Sequence, residues 1–188
     1  MGRPCAVDTR SANLAIDQNK VAKVLLKPVP KNIKEVKSFL EFASYYRSHI
    51  RKFAHITSSL YRLCSKDVVF EITKEKRDAY ERIKHELKNA PGLILPDFEL
   101  PFKLYIDAAC SQELGAALHQ GKIVDDEPCE GIICYISRKL KDSEARYGAT
   151  KNEFLCLVWA LEKLHYHSES AVFEVYTGCT AFKSLLNM

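Results

Sequence analysis

The chain lacks the features that would send it into a membrane, out of the cell or into a disulfide scaffold. No uninterrupted apolar stretch is long enough to span a bilayer. The opening residues, Met1-Gly2-Arg3-Pro4-Cys5-Ala6, carry no apolar core of the kind a secretory signal needs. Seven cysteines is an odd number at irregular spacing, and no two form a Cys-x-x-Cys pair. That pattern argues against both a disulfide framework and a zinc site and points to reduced thiols. His165 and His167 at a helix end, and Cys129 and Cys134 around a strand start, add no matched ligand set. There is no internal repeat and no low-complexity tract. These absences predict an intracellular protein, cytoplasmic or nuclear, that is not secreted and has no membrane partner.

What is present is ordinary globular material. The chain has 188 residues, 47% hydrophobic and 28% charged, enough for one domain with a core or a small domain plus a subdomain. The net charge of +4 hides an asymmetry. Residues 1–92 hold 19 Lys+Arg against 10 Asp+Glu, a net of +9, and residues 93–188 hold 9 against 14, a net of −5. A basic half could track phosphates and an acidic half could hold cations. Two solvated surfaces of opposite sign that attract each other explain the same numbers.

The two halves also differ in pattern. A strand is expected near Ala12–Ile16, and Val21–Leu26 is a short apolar run. Pro28 and Pro30 then enforce an extended connector. Asn32 and Glu35 have the spacing of a capping box, and Val36, Phe39, Leu40, Ala43, Tyr46 and Ile50 follow at helical spacing. Further helices are expected at Ile56–Cys64 and Lys74–Leu87, the latter with Ala79, Ile83 and Leu87 on one face and Asn89-Ala90-Pro91-Gly92 as its stop. After Pro96 and Pro101 the chain reads as strands, at Phe102–Asp107, Leu114–Gln120 and Ile132–Ser137, with a loop over Asp125–Glu130. Ser143–Gly148 leads into a helix over Lys151–Leu164, followed by a strand at Ala171–Thr177 and a short helix at Ala181–Asn187. The predicted class is α+β: a basic helical subdomain over 1–92, then a mixed sheet with a long helix over 93–188.

Two carboxylates stand where layers of such a fold meet. Asp107 ends the run Phe102-Lys103-Leu104-Tyr105-Ile106-Asp107, and Glu153 opens the amphipathic stretch Glu153-Phe154-Leu155-Cys156-Leu157-Val158-Trp159-Ala160-Leu161. Two-metal hydrolysis of a phosphodiester needs several carboxylates converging on two divalent cations roughly 4 Å apart, and magnesium prefers hard oxygen ligands. Each acid also has a plainer explanation. Asp107 at a strand end suits a turn former, and Thr150-Lys151-Asn152-Glu153 has capping-box spacing, so Glu153 could satisfy a backbone amide. On spacing alone the cap is favoured for Glu153, and the two roles do not exclude each other. Trp159 and most of Phe42, Tyr45 and Tyr46 read as packing. Cys110 and Cys179 are thiols near the same strand ends.

Several segments together resemble one family. Leu104-Tyr105-Ile106-Asp107-Ala108-Ala109 with Leu114-Gly115-Ala116-Ala117-Leu118 is similar to the first hairpin of a reverse-transcriptase-linked ribonuclease H. Ser137-Arg138-Lys139-Leu140, Tyr147-Gly148-Ala149-Thr150-Lys151-Asn152-Glu153 and Leu157-Val158-Trp159-Ala160-Leu161 resemble its later segments, in the same order. Upstream, Leu26-Lys27-Pro28-Val29-Pro30-Lys31-Asn32, Ser38-Phe39-Leu40 and Tyr45-Tyr46-Arg47 resemble the thumb and connection that follow a polymerase palm. The set, covering about Leu14 to Met188, resembles the pol polyprotein of gypsy-type LTR retrotransposons.

That resemblance implies a ribonuclease H that hydrolyses RNA in an RNA–DNA hybrid with magnesium or manganese, with Asp107 and Glu153 as metal ligands and catalytic acids. It implies phosphate contact through Lys31, Lys34, Lys37, Arg47, Arg51 and Lys52, and the remaining pol domains as partners. The sequence also departs from the family. The third ligand, normally an Asp after Thr at the end of the fourth strand, is Gly178 after Thr177. The last acidic ligand is expected on a segment beyond Met188. Ala109 replaces a serine, and the first turn, Ala108–Glu113, is one residue longer and has no glycine. The Asp125-Asp126 pair lacks the aromatic of a polymerase turn, and a palm would precede Met1. The expectation is therefore a truncated RNase H-like domain with absent or very weak cleavage. A non-catalytic nucleic-acid-binding module and a transposon remnant without a selected role are the rivals. An uncovered sheet edge would favour self-association.

Overall fold

The computed structural model describes residues 14–66, 68–108, 113–124, 127–168 and 172–178. Six α-helices and a four-stranded mixed sheet occur among them. The helices α1 (Gln18–Leu25), α2 (Ile33–Tyr45), α3 (Phe53–Arg62) and α4 (Lys74–Lys88) come first. Strands β1 (Phe102–Asp107), β2 (Glu113–Val124) and β3 (Glu127–Lys139) follow, then α5 (Ala149–Lys163), α6 (His165–Ser168) and β4 (Phe173–Tyr176). The fold is α+β. No helix among the described residues is long and apolar enough to cross a membrane.

In the helical half α2, α3 and α4 form close to where caps and periodicity set them, and α1 forms where the sequence was read only as a short apolar run. The Asn32 side chain accepts a hydrogen bond from the Glu35 amide at 2.9 Å and starts α2. The Glu35 carboxylate reaches back to the Lys31 amide at 2.8 Å and to Asn32 Nδ2 at 2.7 Å, so the capping box closes one residue earlier than usual. Asp17 caps α1 in the same way, accepting from the Asn19 and Lys20 amides. Val36, Phe39, Leu40, Ile50, Leu60, Ile83 and Leu87 are buried in one cluster. Tyr80 is buried there too, and its hydroxyl donates to the Pro28 carbonyl at 3.1 Å, which fixes the proline connector. Burial pushes that phenol up to about 12. The expected strand near Ala12–Ile16 reduces, where described, to one antiparallel bridge between Leu14 and Leu93.

The second cluster is the sheet covered by α5. β1 alternates strictly, with Phe102, Leu104 and Ile106 buried and Lys103, Tyr105 and Asp107 half-buried on the other face. Cys156, Trp159 and Ala160 of α5 pack in this second cluster. The sheet order is β3-β2-β1-β4, antiparallel except for the parallel β1–β4 pair. β2 and β3 run further than the alternation predicts, so residues 127–130 belong to a strand rather than a loop. Pro128 is tolerated because β3 is an edge strand. Cys129 is disulfide-bonded, against the expectation of reduced thiols throughout, whereas Cys64, Cys134 and Cys156 are free. The helix expected at Ala181–Asn187 lies outside the described residues, as do Ala109, Cys110, Asp125, Asp126 and Cys179.

Candidate active site

The site lies where the ends of β1, β2 and β4 meet the first turn of α5. Asp107 is the last residue of β1 and pairs with Gly115 of β2. The Cys156 thiol donates to the Gly115 carbonyl at 3.3 Å, which holds α5 against that end of the hairpin. Burial pushes this thiol up to about 11. β4 runs parallel to β1 with Tyr105 opposite Tyr176. The same offset carried two residues further brings Gly178 level with Asp107. Asp107, Glu153, Thr177 and Gly178 all line one cleft of about 510 Å³.

Glu153 is not a helix cap. The N-cap of α5 is Gly148, with no side-chain cap bond, so Glu153 sits one turn inside the helix and is buried. A buried carboxylate needs hydrogen-bond donors, and the Thr177 hydroxyl donates to Glu153 Oε2 at 3.0 Å. Thr177 is thus bonded, and where an acid was expected beside it stands Gly178. A Cβ built on Gly178 meets nothing within 4 Å, so the space for the missing side chain is open.

Asp107 has taken a different partner. The Lys52 ammonium is 2.9 Å from Asp107 Oδ2, and Arg51 Nη2 is 3.9 Å from the same oxygen. Lys52 precedes α3 and adopts φ 56° and ψ 35°, the only non-glycine with positive φ among the described residues. That left-handed conformation costs a lysine about 1 kcal/mol. The segment is pinned by the Ala54 amide, which donates to Ser137 Oγ of β3 at 2.9 Å.

The donor set does not fit a two-metal centre. Two divalent cations call for several free carboxylates. The cleft offers two, one bound to an ammonium and one to a hydroxyl, and glycine adds no side-chain oxygen. Among the described residues no group of three or more His, Cys, Asp or Glu could hold a metal ion. Another acid of the sheet, Glu130, is committed elsewhere. It accepts from Lys103 at 3.1 Å and Tyr105 at 3.3 Å and lies 2.7 Å from His119 Nδ1. Burial raises its carboxyl, but these bonds outweigh burial and hold it below the usual range.

The six basic residues expected to meet phosphates are found in three settings. Lys31, Lys34 and Lys37 are exposed before and along α2. Arg51 and Lys52 line the Asp107 cleft. Arg47 lines a second groove of about 440 Å³ together with Arg62, Lys139, Ser44, Ser58 and Ser137, and no carboxylate among the described residues lines it. Sequence reasoning missed Arg62 and Lys139, because the two are brought together only when α3 docks on β3. It also missed the clamp that leads into α5. Arg138 grips Glu144 through two bonds of 2.6 and 3.0 Å, and the Lys141 amide adds a third of 2.8 Å. Arg138 was legible only as part of the Ser137–Leu140 motif.

Comparison with known proteins shows the family and the fold. The family model described as the RNase H-like domain found in reverse transcriptase matches residues 72–175. The retrovirus-related Pol polyprotein from transposon gypsy of Drosophila melanogaster is 35% identical over 160 residues, 79% of this chain and 15% of that protein. The corresponding polyprotein from transposon 297, also of Drosophila melanogaster, is 34% identical over 149 residues, 79% of this chain and 13% of that protein. The chain therefore spans about a seventh of the length of these relatives. Among solved structures, the foamy viral protease-reverse transcriptase in complex with dsDNA superposes with a TM-score of 0.75 at 20% identity, covering 93% of this chain and 36% of that one. The same enzyme in complex with an RNA/DNA hybrid gives 0.69 at 20% identity, covering 90% and 22%. At that identity the likeness shows the fold.

Proposed function

This chain belongs to the RNase H-like domain family found in reverse transcriptase, and from that premise we propose that it is a retrotransposon-derived segment that no longer cuts RNA in an RNA–DNA hybrid. The observation that carries the proposal is the end of β4. Gly178, two residues beyond β4, lines the cleft with Asp107 and Glu153 at the position where the resemblance would set a third carboxylate, and it has no side chain to offer. Without that oxygen the remaining residues hold protons and charges among themselves. The Thr177 hydroxyl donates a hydrogen bond to Glu153, and the Lys52 ammonium pairs with Asp107.

The test is a cleavage assay on an RNA–DNA hybrid with magnesium or manganese. The expected result is no metal-dependent cleavage above that of Asp107→Asn. Robust turnover lost in Asp107→Asn overturns the proposal.

A second reading is favoured by the groove around Arg47, Arg62 and Lys139. Three cations and several hydroxyls, with no carboxylate among the described residues, suit a phosphodiester backbone, and solved structures of similar fold were captured on dsDNA and on a hybrid. In this reading the segment contributes nucleic-acid contact within a pol-type polyprotein. Binding that persists without divalent metal and weakens steeply with salt supports it; salt-insensitive or absent binding removes it.

A further inference from the structure

We propose that Lys52 is the resident cation of this site, standing where the family's fold would hold a divalent metal, and that through Asp107 it latches the helical half of the chain to the sheet. The inference rests on the preceding reading that Gly178 has removed the third carboxylate. Three observations carry it.

The first is charge. Asp107 and Glu153 bring two negative charges to the cleft, and Arg51 and Lys52 bring two positive charges to the same cleft. With a third or fourth acid the balance would call for divalent ions; with two acids it closes on side chains alone. The second is position. The ammonium lies 2.9 Å from Asp107 Oδ2. A metal ion would sit about 2.1 Å from such an oxygen, so the two cations compete for one place. Arg51 approaches the same oxygen at 3.9 Å.

The third is backbone. The one left-handed non-glycine among the described residues is Lys52 itself. Strain of this kind persists where surrounding structure over-determines it. Here the following turn is tied down, with the Ala54 amide on Ser137 of β3 and Phe53 buried in the helical core. The helical half therefore delivers Lys52 to Asp107 through its own docking on β3. The pair joins residues 55 positions apart and bridges the two hydrophobic clusters.

The experiment is calorimetric titration of manganese into Gly178→Asp and into Lys52→Asn/Gly178→Asp. Asparagine tolerates the left-handed region, so the substitution removes charge without adding strain. The restored site should bind manganese about tenfold more tightly once Lys52 is neutral. Equal or weaker affinity in the double variant overturns the proposal and leaves the reading of Gly178 intact. If the wild type itself binds two ions, the reading of Gly178 fails, and the proposal with it. If neither reverted variant binds, that reading also fails, and a stability cycle decides the latch. In urea at low salt, Lys52→Asn and Asp107→Asn should be coupled by about threefold in the unfolding constant, as partly exposed ion pairs are. Coupling that shrinks with added salt upholds the latch; strict additivity overturns it.

Discussion

Replacing Glu144 by glutamine should cost the fold about 2 kcal/mol at neutral pH and almost nothing in strong acid. Glu144 is 7% exposed and takes three hydrogen bonds, two from the Arg138 guanidinium and one from the Lys141 amide. The Arg138 bonds lead in holding the carboxyl at about 2 instead of 4.5. A displacement of that size corresponds to about 3 kcal/mol of preference for the ionised form in the native state. Arg138 is about a quarter exposed and also lies over the Trp159 ring at 5.5 Å, so part of its anchoring survives the substitution, and the expected loss is nearer 2 kcal/mol. The folded carboxyl is lowered, so its stabilisation is complete above about 4.5 and is lost as pH falls through about 2. Urea unfolding of wild type and Glu144→Gln at pH 7, 4 and 2 measures this directly. The gap should be about 2 kcal/mol at pH 7 and close toward zero at pH 2. A gap below 0.5 kcal/mol at pH 7, or one that persists unchanged at pH 2, refutes the clamp as a charge-assisted anchor for the segment entering α5.

Three further outcomes follow from the packing and the charges. Gly131→Ala in β3 should destabilise by about 1–3 kcal/mol, since its Cβ would fall 2.7 Å from the Ile94 side chain; a melting temperature equal to wild type counts against that close approach. Replacing Arg47, Arg62 and Lys139 together by glutamine should weaken nucleic-acid binding and reduce the salt slope by about one per lost phosphate contact, measured by fluorescence anisotropy at several salt concentrations; an unchanged slope removes the groove from the interface. Cys156, buried and with its thiol pushed up to about 11, should resist a thiol reagent at pH 8 in the native state and react fully once the chain is unfolded; fast native labelling contradicts the tight seat of α5 on the hairpin.

What the sequence disclosed and what it hid follow a physical line. β1 was legible to the residue because strict alternation over Phe102–Asp107 has one interpretation. The start of α2 was legible because Asn32 and Glu35 make a local, self-contained cap. The same logic misled at α5. Thr150 and Glu153 have cap spacing, yet the helix starts at Ala149 after Gly148, because Glu153 is drawn inward to Thr177, 24 positions away. The far halves of β2 and β3 carry Gly121, Pro128 and Gly131, which read as turn signals, but they pair as an antiparallel ladder whose register no local pattern reveals. α4 was placed correctly in period, with Ile83 and Leu87 buried and Ala79 packed against the same cluster, but Tyr80, which reaches the core and the Pro28 carbonyl, was not singled out. Asp107, Glu153 and Gly178 could be matched to a family pattern position by position. The Lys52–Asp107 pair could not, since it depends on a left-handed residue and on how the two halves dock.

The central claim is that the loss of one carboxylate at the end of β4 disables this site for divalent metal. The most direct measurement is calorimetric titration of magnesium and manganese into the wild type and into Gly178→Asp, whose new side chain has open space to enter. The account predicts no specific binding by the wild type and measurable binding by Gly178→Asp. Two ions bound by the wild type would contradict it, because another ligand would then complete the site and Gly178 would no longer explain its silence.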